Sequence, residues 1–279
     1  LTISASAAAK KVFQICDKSR IVEPAIRITD LRFGYDGREV LHGLTFDVQP
    51  GEVTGLLGPN GAGKSTTLKI ITGILKFAEG NVEVERCKLP AEAFEVKKRI
   101  GYVPESAELY ESISALEFLE LCGRLHELEE GVLRLRIDAL LEGFGLSAQR
   151  RQRLGSYSKG MRQKILIAAA LLHDPSVIVM DEPLTGLDVE SAIMTKDLLA
   201  SMASAGKAVL YSSHVLDVVE RFCDRVLIMD RGNVVADDSP EGLKTKRHES
   251  SLEAVFRNIT HAASDAPDIA KIMGALRTS

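Results

Sequence analysis

The chain has 279 residues, 45% of them hydrophobic, and 35 lysines and arginines against 39 aspartates and glutamates, a net charge of −4. That is enough chain for one large core, or one core with a small lobe, and without a basic excess a nucleic-acid surface is not the working expectation. The longest uncharged apolar run, Ile165 to Leu172, is well short of the roughly 20 residues that span a bilayer, so a membrane role would come through a partner.

The first stretch, LTISASAAAKKVFQICDKSR, opens on Leu1 and is rich in small and basic residues and poor in acids. It reads as an N-terminal tail over 1–24, with a transit-peptide-like composition as the second reading. The four cysteines, Cys16, Cys87, Cys122 and Cys223, form no C-x-x-C pair and read as reduced thiols of a cytosolic protein. From Ala25 the pattern turns to short strands, AIRITDLRF, LTFDV and the buried run EVTGLLG, which lead into a helix from Lys64 to about Leu75. NVEVE and RIGYV read as a further strand pair. Some sixty residues of helical pattern follow, up to the stretch at 155: a capping box at Ser114 and Glu117 precedes FLELCGRLHEL, and VLRLRIDALLEGFG carries Gly143 and Gly145 near its end. Then VIVMD, AVLYSS and RVLIMD alternate with helical segments, as in a parallel sheet covered on both faces. LEAVFRNI, in the last forty residues, is one amphipathic turn and a half in a tail or appendage.

GPNGAGKST, at 58 to 66, fits the G-x-x-x-x-G-K-[ST] pattern between a buried strand and a helix. Its glycines let consecutive N–H groups curl round phosphates, Lys64 adds a point charge, and the Ser65 hydroxyl can sit on Mg²⁺. The loop residues taken as nucleotide-binding are Gly58, Asn60, Gly61, Gly63, Lys64, Ser65 and Thr66. In VIVMDEP, Asp181 ends a buried strand where it can hold Mg²⁺ through water, and Glu182 can polarise an attacking water. His214 follows AVLYSS, and its imidazole could donate to a γ-phosphate.

A second stretch, GSYSKGMRQK at 155 to 164, opens an all-round apolar helix with small and cationic residues. Free N–H groups and the positive dipole end make such a start an anion site, strengthened by Ser158, Gly160, Lys159 and Arg162. The chain thus offers two phosphate sites but one P-loop.

With GPNGAGKST, YSKGMRQK, VIVMDEP, LTGLD and SSH in this order, the chain resembles the ATP-binding cassette family over about residues 26 to 240. The resemblance implies an α/β fold: a P-loop NTPase core with a mainly parallel sheet, an antiparallel β subdomain and an inserted helical subdomain at about 106–165, within an ATP-binding domain at 25–240, followed by an appendage at 241–279. It also implies that YSKGM is the signature motif, with Ser158 and Gly160 facing the ATP of a second copy in a head-to-tail dimer. Tyr35, in FGYDG, matches the aromatic that stacks on adenine, and Asp188, in LTGLD, matches the loop coupling the two sites, while on its own it would be a helix N-cap. Two departures stand out. The usual Gln after the lobe-entry strand is Glu105, which can still ligate Mg²⁺ through oxygen, and the signature reads YSKGM where LSGGQ is common. With LEAVF, these resemble the exporting branch whose permeases are of the ABC-2 type.

The resemblance implies the ATPase subunit of a transporter, using ATP and Mg²⁺, paired with a second nucleotide-binding domain as a homodimer. It would lie on the cytoplasmic face of the cell membrane through a separate integral permease and bind no nucleic acid. A second reading is a soluble cassette ATPase acting on ribosomes or DNA, but such chains usually carry two cassettes or long coiled-coil insertions. A third is a non-hydrolysing regulatory module, against which Glu182 and His214 argue.

Overall fold

The computed structural model describes residues 23–106 and 109–260. The expected N-terminal tail, except its last two residues, and Cys16 lie outside this range, as do residues 261–279.

Two sheets organise the chain. β1 (Ile26–Tyr35), β2 (Arg38–Val48), β4 (Glu79–Val84) and β5 (Cys87–Leu89) form an antiparallel sheet in the order β2-β1-β4-β5. β3 (Val53–Leu57), β6 (Ile100–Val103), β7 (Val177–Asp181), β8 (Ala208–Ser212), β9 (Arg225–Asp230) and β10 (Asn233–Asp238) form the second, in the order β10-β9-β3-β8-β7-β6. Only β10 runs antiparallel there. NVEVE and RIGYV therefore do not pair: β4 belongs to the first sheet and β6 to the second. Each is a short apolar run, and such runs do not say which partner they take.

β3, β7 and β8 are buried at every residue because helices cover both faces of their sheet. On one face Leu56, Val179 and Leu210 meet Leu68, Ile70 and Ile71 of α1 (Lys64–Ile71). On the other, Met180, Val209 and Ile228 share a core with Ile165 and Ala168 of α5 (Lys159–Leu171), Leu199 of α6 (Val189–Ser204) and Val219 of α7 (Leu216–Phe222). α1 stops before the expected Leu75 because Gly73 takes a left-handed φ of 67° and the Ile74 N–H turns back to the Lys69 carbonyl at 2.9 Å. The sequence reading passed over β5, β10 and the seven-residue α2 (Ala93–Arg99).

The helical stretch contains α3 (Ala115–Leu125) and α4 (Glu130–Gly143), then two 3₁₀ turns at Ser147–Gln149 and Leu154–Ser156. The capping box forms: the Ser114 hydroxyl accepts from the Glu117 N–H at 3.2 Å, and the Glu117 carboxylate accepts from the Ser114 N–H at 2.8 Å. The expected subdomain edge at 165 falls inside α5, a continuous helix that contacts both α3 and β6. α8 (Pro240–Arg247) and α9 (Leu252–Ile259) are held more tightly than a tail would be. Leu243, Leu252 and Val255 join the main core, and Lys244 Nζ lies 2.7 Å from the Glu220 carboxylate on α7.

Arg225 ties the two sheets together. From β9 it donates two 2.7 Å hydrogen bonds to Asp237 on β10 and one of 2.8 Å to Asp47 on β2. Arg225→Gln should lower the unfolding free energy by roughly 2 kcal/mol, since it removes charge-assisted bonds from a partly buried network. Urea unfolding reads this as a lower midpoint with unchanged m, and an unshifted midpoint would show that the network contributes nothing.

Candidate functional site

β3, β8 and β7 lie side by side and run in parallel, so their carboxyl ends deliver three loops to one edge of the sheet. These loops bound a cavity of about 290 Å³. Asn60, Gly61, Gly63, Lys64, Ser65 and Thr66 line it from the P-loop, and Asp181, Glu182 and His214 from the β7 and β8 ends. Ala62 of the P-loop, Glu105, on the loop after β6, and Val40, on β2, complete the lining.

Gly58 lies under this lining, where a Cβ would come 2.6 Å from the Met229 carbonyl oxygen. Gly63, at a φ of 101°, is the N-cap of α1, and the first-turn N–H groups beyond it have no partners within the helix. Lys64 Nζ donates to the carbonyls of Gly58 at 2.6 Å and Pro59 at 3.2 Å. Burial lowers its pKa, and the charges of Glu182, Asp181 and Glu105 oppose that. A chain of oxygen and cationic groups thus surrounds a helix N-terminus, a phosphate-binding arrangement.

Ser212 orders the acids. Its hydroxyl donates to Asp181 Oδ1 at 2.6 Å and accepts from the Glu182 N–H at 3.1 Å. The Glu182 backbone, at a φ of 51°, is held in a conformation that non-glycine residues seldom adopt. That geometry aims its carboxylate at His214, whose Nδ1 lies 2.8 Å from Glu182 Oε2. The Glu182 side chain is 11% exposed and that of His214 67%. Ser212 was missed in the sequence, although it is the first residue of the SSH triplet that drew attention to His214.

Among the described residues no three carboxylates, imidazoles or thiols gather as a metal site. One buried carboxylate with a nearby loop hydroxyl, Asp181 and Ser65, does suit Mg²⁺, which keeps several waters and shares its coordination with substrate phosphates.

Besides Gly58, four expected site residues lie outside the cavity lining. Tyr35, 45% exposed, packs edge to face on Phe33 with ring centroids 4.9 Å apart. Ser158 caps α5, its hydroxyl accepting from the Met161 N–H at 3.2 Å. Gly160 has an in-chain reason to be glycine, because a Cβ there would meet the Gly186 carbonyl oxygen at 2.6 Å. Asp188 is the N-cap of α6: it accepts from the Ser191 N–H at 2.9 Å and lies 3.1 Å from Lys164 Nζ, and the bonds to Ser191 and then Lys164 hold its pKa far below the usual carboxylate range. The start of α5 and the LTGLD loop are therefore locked together, with Gln163 Nε2 also donating to the Pro183 carbonyl at 3.0 Å. Neither Lys164 nor Gln163 stood out in the sequence, since a polar side chain on a helix does not reveal which loop it will reach.

Burial raises the Glu182 pKa above the ordinary carboxyl value, opposed by the hydrogen bond and charge of His214 and by the charge of Lys64. With the folded-state pKa raised, the stability linked to this group is fully present below its unfolded pKa and lost as pH rises through the folded one. Glu182→Gln cannot ionise, so it should melt above the parent at pH ~7, and the gap should close toward pH ~4, where both side chains are neutral. Thermal unfolding across this range checks it; a gap of the same size at every pH would show that burial does not dominate.

A family model described as ABC transporter matches residues 41–185. The ABC transporter ATP-binding protein NatA of Bacillus subtilis is 36% identical over 214 residues, 76% of this chain and 87% of that one. The daunorubicin resistance ATP-binding protein DrrA3 of Streptomyces coeruleorubidus is 35% identical over 237 residues, 85% of this chain and 75% of that one. Among solved structures, an ATP-binding subunit of an ABC transporter superposes with a TM-score of 0.81 at 31% identity, covering 84% of this chain and 99% of its own. A dimeric bacterial ABC transporter cassette superposes with a TM-score of 0.70 at 25% identity, covering 77% and 98%. A P-loop edge carrying Asp181 and Glu182, on a chain with these relatives, leads to one conclusion: the chain belongs to the ABC transporter family, as an ATP-binding subunit that hydrolyses ATP to power transport.

Proposed function

We propose that Glu182 is the base that polarises the attacking water and that His214 orients it. The single observation that carries this is the 2.8 Å contact between Glu182 and His214, on a backbone that Ser212 also ties to Asp181. In this reading Gly58, Asn60, Gly61, Gly63, Lys64 and Thr66 cradle the phosphates, and Tyr35 stacks on adenine from the antiparallel sheet. Asp181, Ser65 and Glu105 would hold Mg²⁺, which when bound would neutralise charge developing on the phosphates. Residues 25–240 form the ATP-binding domain, and the helices between Ser106 and α5 its helical subdomain.

The catalytic unit is a head-to-tail dimer. Ser158 and Gly160 open a helix whose start lies away from the chain's own P-loop cavity, and a related cassette is dimeric. Asp188, bonded to Lys164 beside that start, passes the state of one site to the other. Glu105, on the loop between the nucleotide cavity and the helical subdomain, couples the cycle to a membrane permease on the cytoplasmic side. No helix among the described residues is long and apolar enough to cross a membrane, which fits a separate permease. A relative named as a Nod factor export ATP-binding protein, 34% identical over 232 residues, supports an export role, and the family match favours a transporter over a ribosome- or DNA-acting ATPase.

Glu182→Gln should bind ATP as the parent does, turn it over roughly 10²-fold more slowly or worse, and shift from monomer to dimer with ATP but not ADP in light scattering. An active Glu182→Gln protein would remove Glu182 from the mechanism, and a variant that stays monomeric at saturating ATP would remove the ATP-bridged dimer. Ser158→Arg and Lys64→Ala chains, each inactive alone, should recover part of the hydrolysis when mixed, because one composite site of the heterodimer keeps an intact P-loop and an intact signature. Absence of rescue in a mixture that demonstrably forms heterodimers would place Ser158 outside a shared site.

A further inference from the structure

Tyr102 stands on β6, three residues before Glu105, and no step above uses it. Strand alternation places it, with Ile100, on the sheet face that α1 covers. Ile100 pairs with Val177 and Tyr102 with Val179, so the next residue of that face on β7 is Asp181. Ser212 continues the same face on β8, opposite Asp181. The Tyr102 ring packs against the core beneath α1, and its hydroxyl, buried, has no hydrogen-bond partner among the described residues. Burial, and then the charges of Asp181 and Glu105, raise its pKa. A buried hydroxyl left unpaired is costly and calls for an explanation. Ser212 already serves Asp181 Oδ1 from the neighbouring strand, whereas nothing among the described residues uses the phenol.

We infer that Tyr102 is a positioning residue for the Mg²⁺ end of the site: its hydroxyl donates to the Asp181 carboxylate, or to a water on it, when the metal is taken up. The phenol acts through Asp181 and does not touch the reacting phosphate. This rests on the reading of Asp181 as the Mg²⁺ residue. A fixed donor on a β-strand is a pre-organised one, so the carboxylate is steadied without the entropy cost of ordering a loop.

Tyr102→Phe separates this role from a packing role. Removing an unpaired buried hydroxyl should leave the melting temperature of the protein without nucleotide equal or higher. Binding of adenylyl imidodiphosphate in EDTA should be unchanged. The Mg²⁺ concentration that gives half of the metal-dependent gain in its affinity should rise by about 10-fold, as for loss of a hydrogen bond to a charged group. A lower melting temperature without nucleotide, or an unchanged Mg²⁺ midpoint, would overturn the inference. Asp181→Asn is measured alongside: if that variant keeps the parent Mg²⁺ midpoint, the reading of Asp181 fails and this inference with it. If Asp181→Asn loses the response while Tyr102→Phe keeps it, only the role of Tyr102 is overturned.

Discussion

The site depends on one serine between two acids. Ser212 ends the strand flanked by β3 and β7, and its hydroxyl is at once a donor to Asp181 and an acceptor for the Glu182 backbone. An oxygen with both roles filled is fully used in a buried place where an unfilled role would be expensive. It fixes the first acid by its side chain and the second by its backbone. The second then adopts the positive φ that turns its carboxylate to His214. Without this constraint two adjacent carboxylates would have the freedom of a loop start.

Around that pair the fold works by coverage. Strands buried at every residue need helices on both faces, and here α1 supplies one face and the phosphate loop together. The same packing that buries Leu68, Ile70 and Ile71 therefore brings Lys64 toward the acids. On the opposite face α5 carries a second helix start, locked to the LTGLD loop by Lys164, Gln163 and the close approach of Gly160 to Gly186. Motion at that helix start would move Asp188 as well. Packed elements of this kind shift as units rather than deform.

Arg225 and α9 perform related tasks at the periphery. Arg225 satisfies carboxylates from both sheets, so the antiparallel sheet that holds Tyr35 keeps a fixed relation to the P-loop sheet. α9 buries Leu252 and Val255 in the main core and rests on α7, the helix that follows the His214 loop. α8 and α9 are thereby packed onto the helix that follows the cavity-lining loop.

The sequence by itself determined whatever depends on neighbours along the chain. The P-loop, the capping box at Ser114 and Glu117, the buried strand ahead of Asp181 and the helix start at Ser158 are local patterns whose geometry follows from backbone chemistry. Tertiary structure decided what depends on distant partners. It sent β4 and β6 to different sheets and ran α5 unbroken through the expected subdomain edge. It gave Gly160 a packing reason through Gly186, and it put Ser212 and Tyr102 on the same sheet face as Asp181. No spacing rule reaches these pairs. Their members are separated by tens of residues and meet only because burying both faces of one sheet leaves a single register in which its strands can lie.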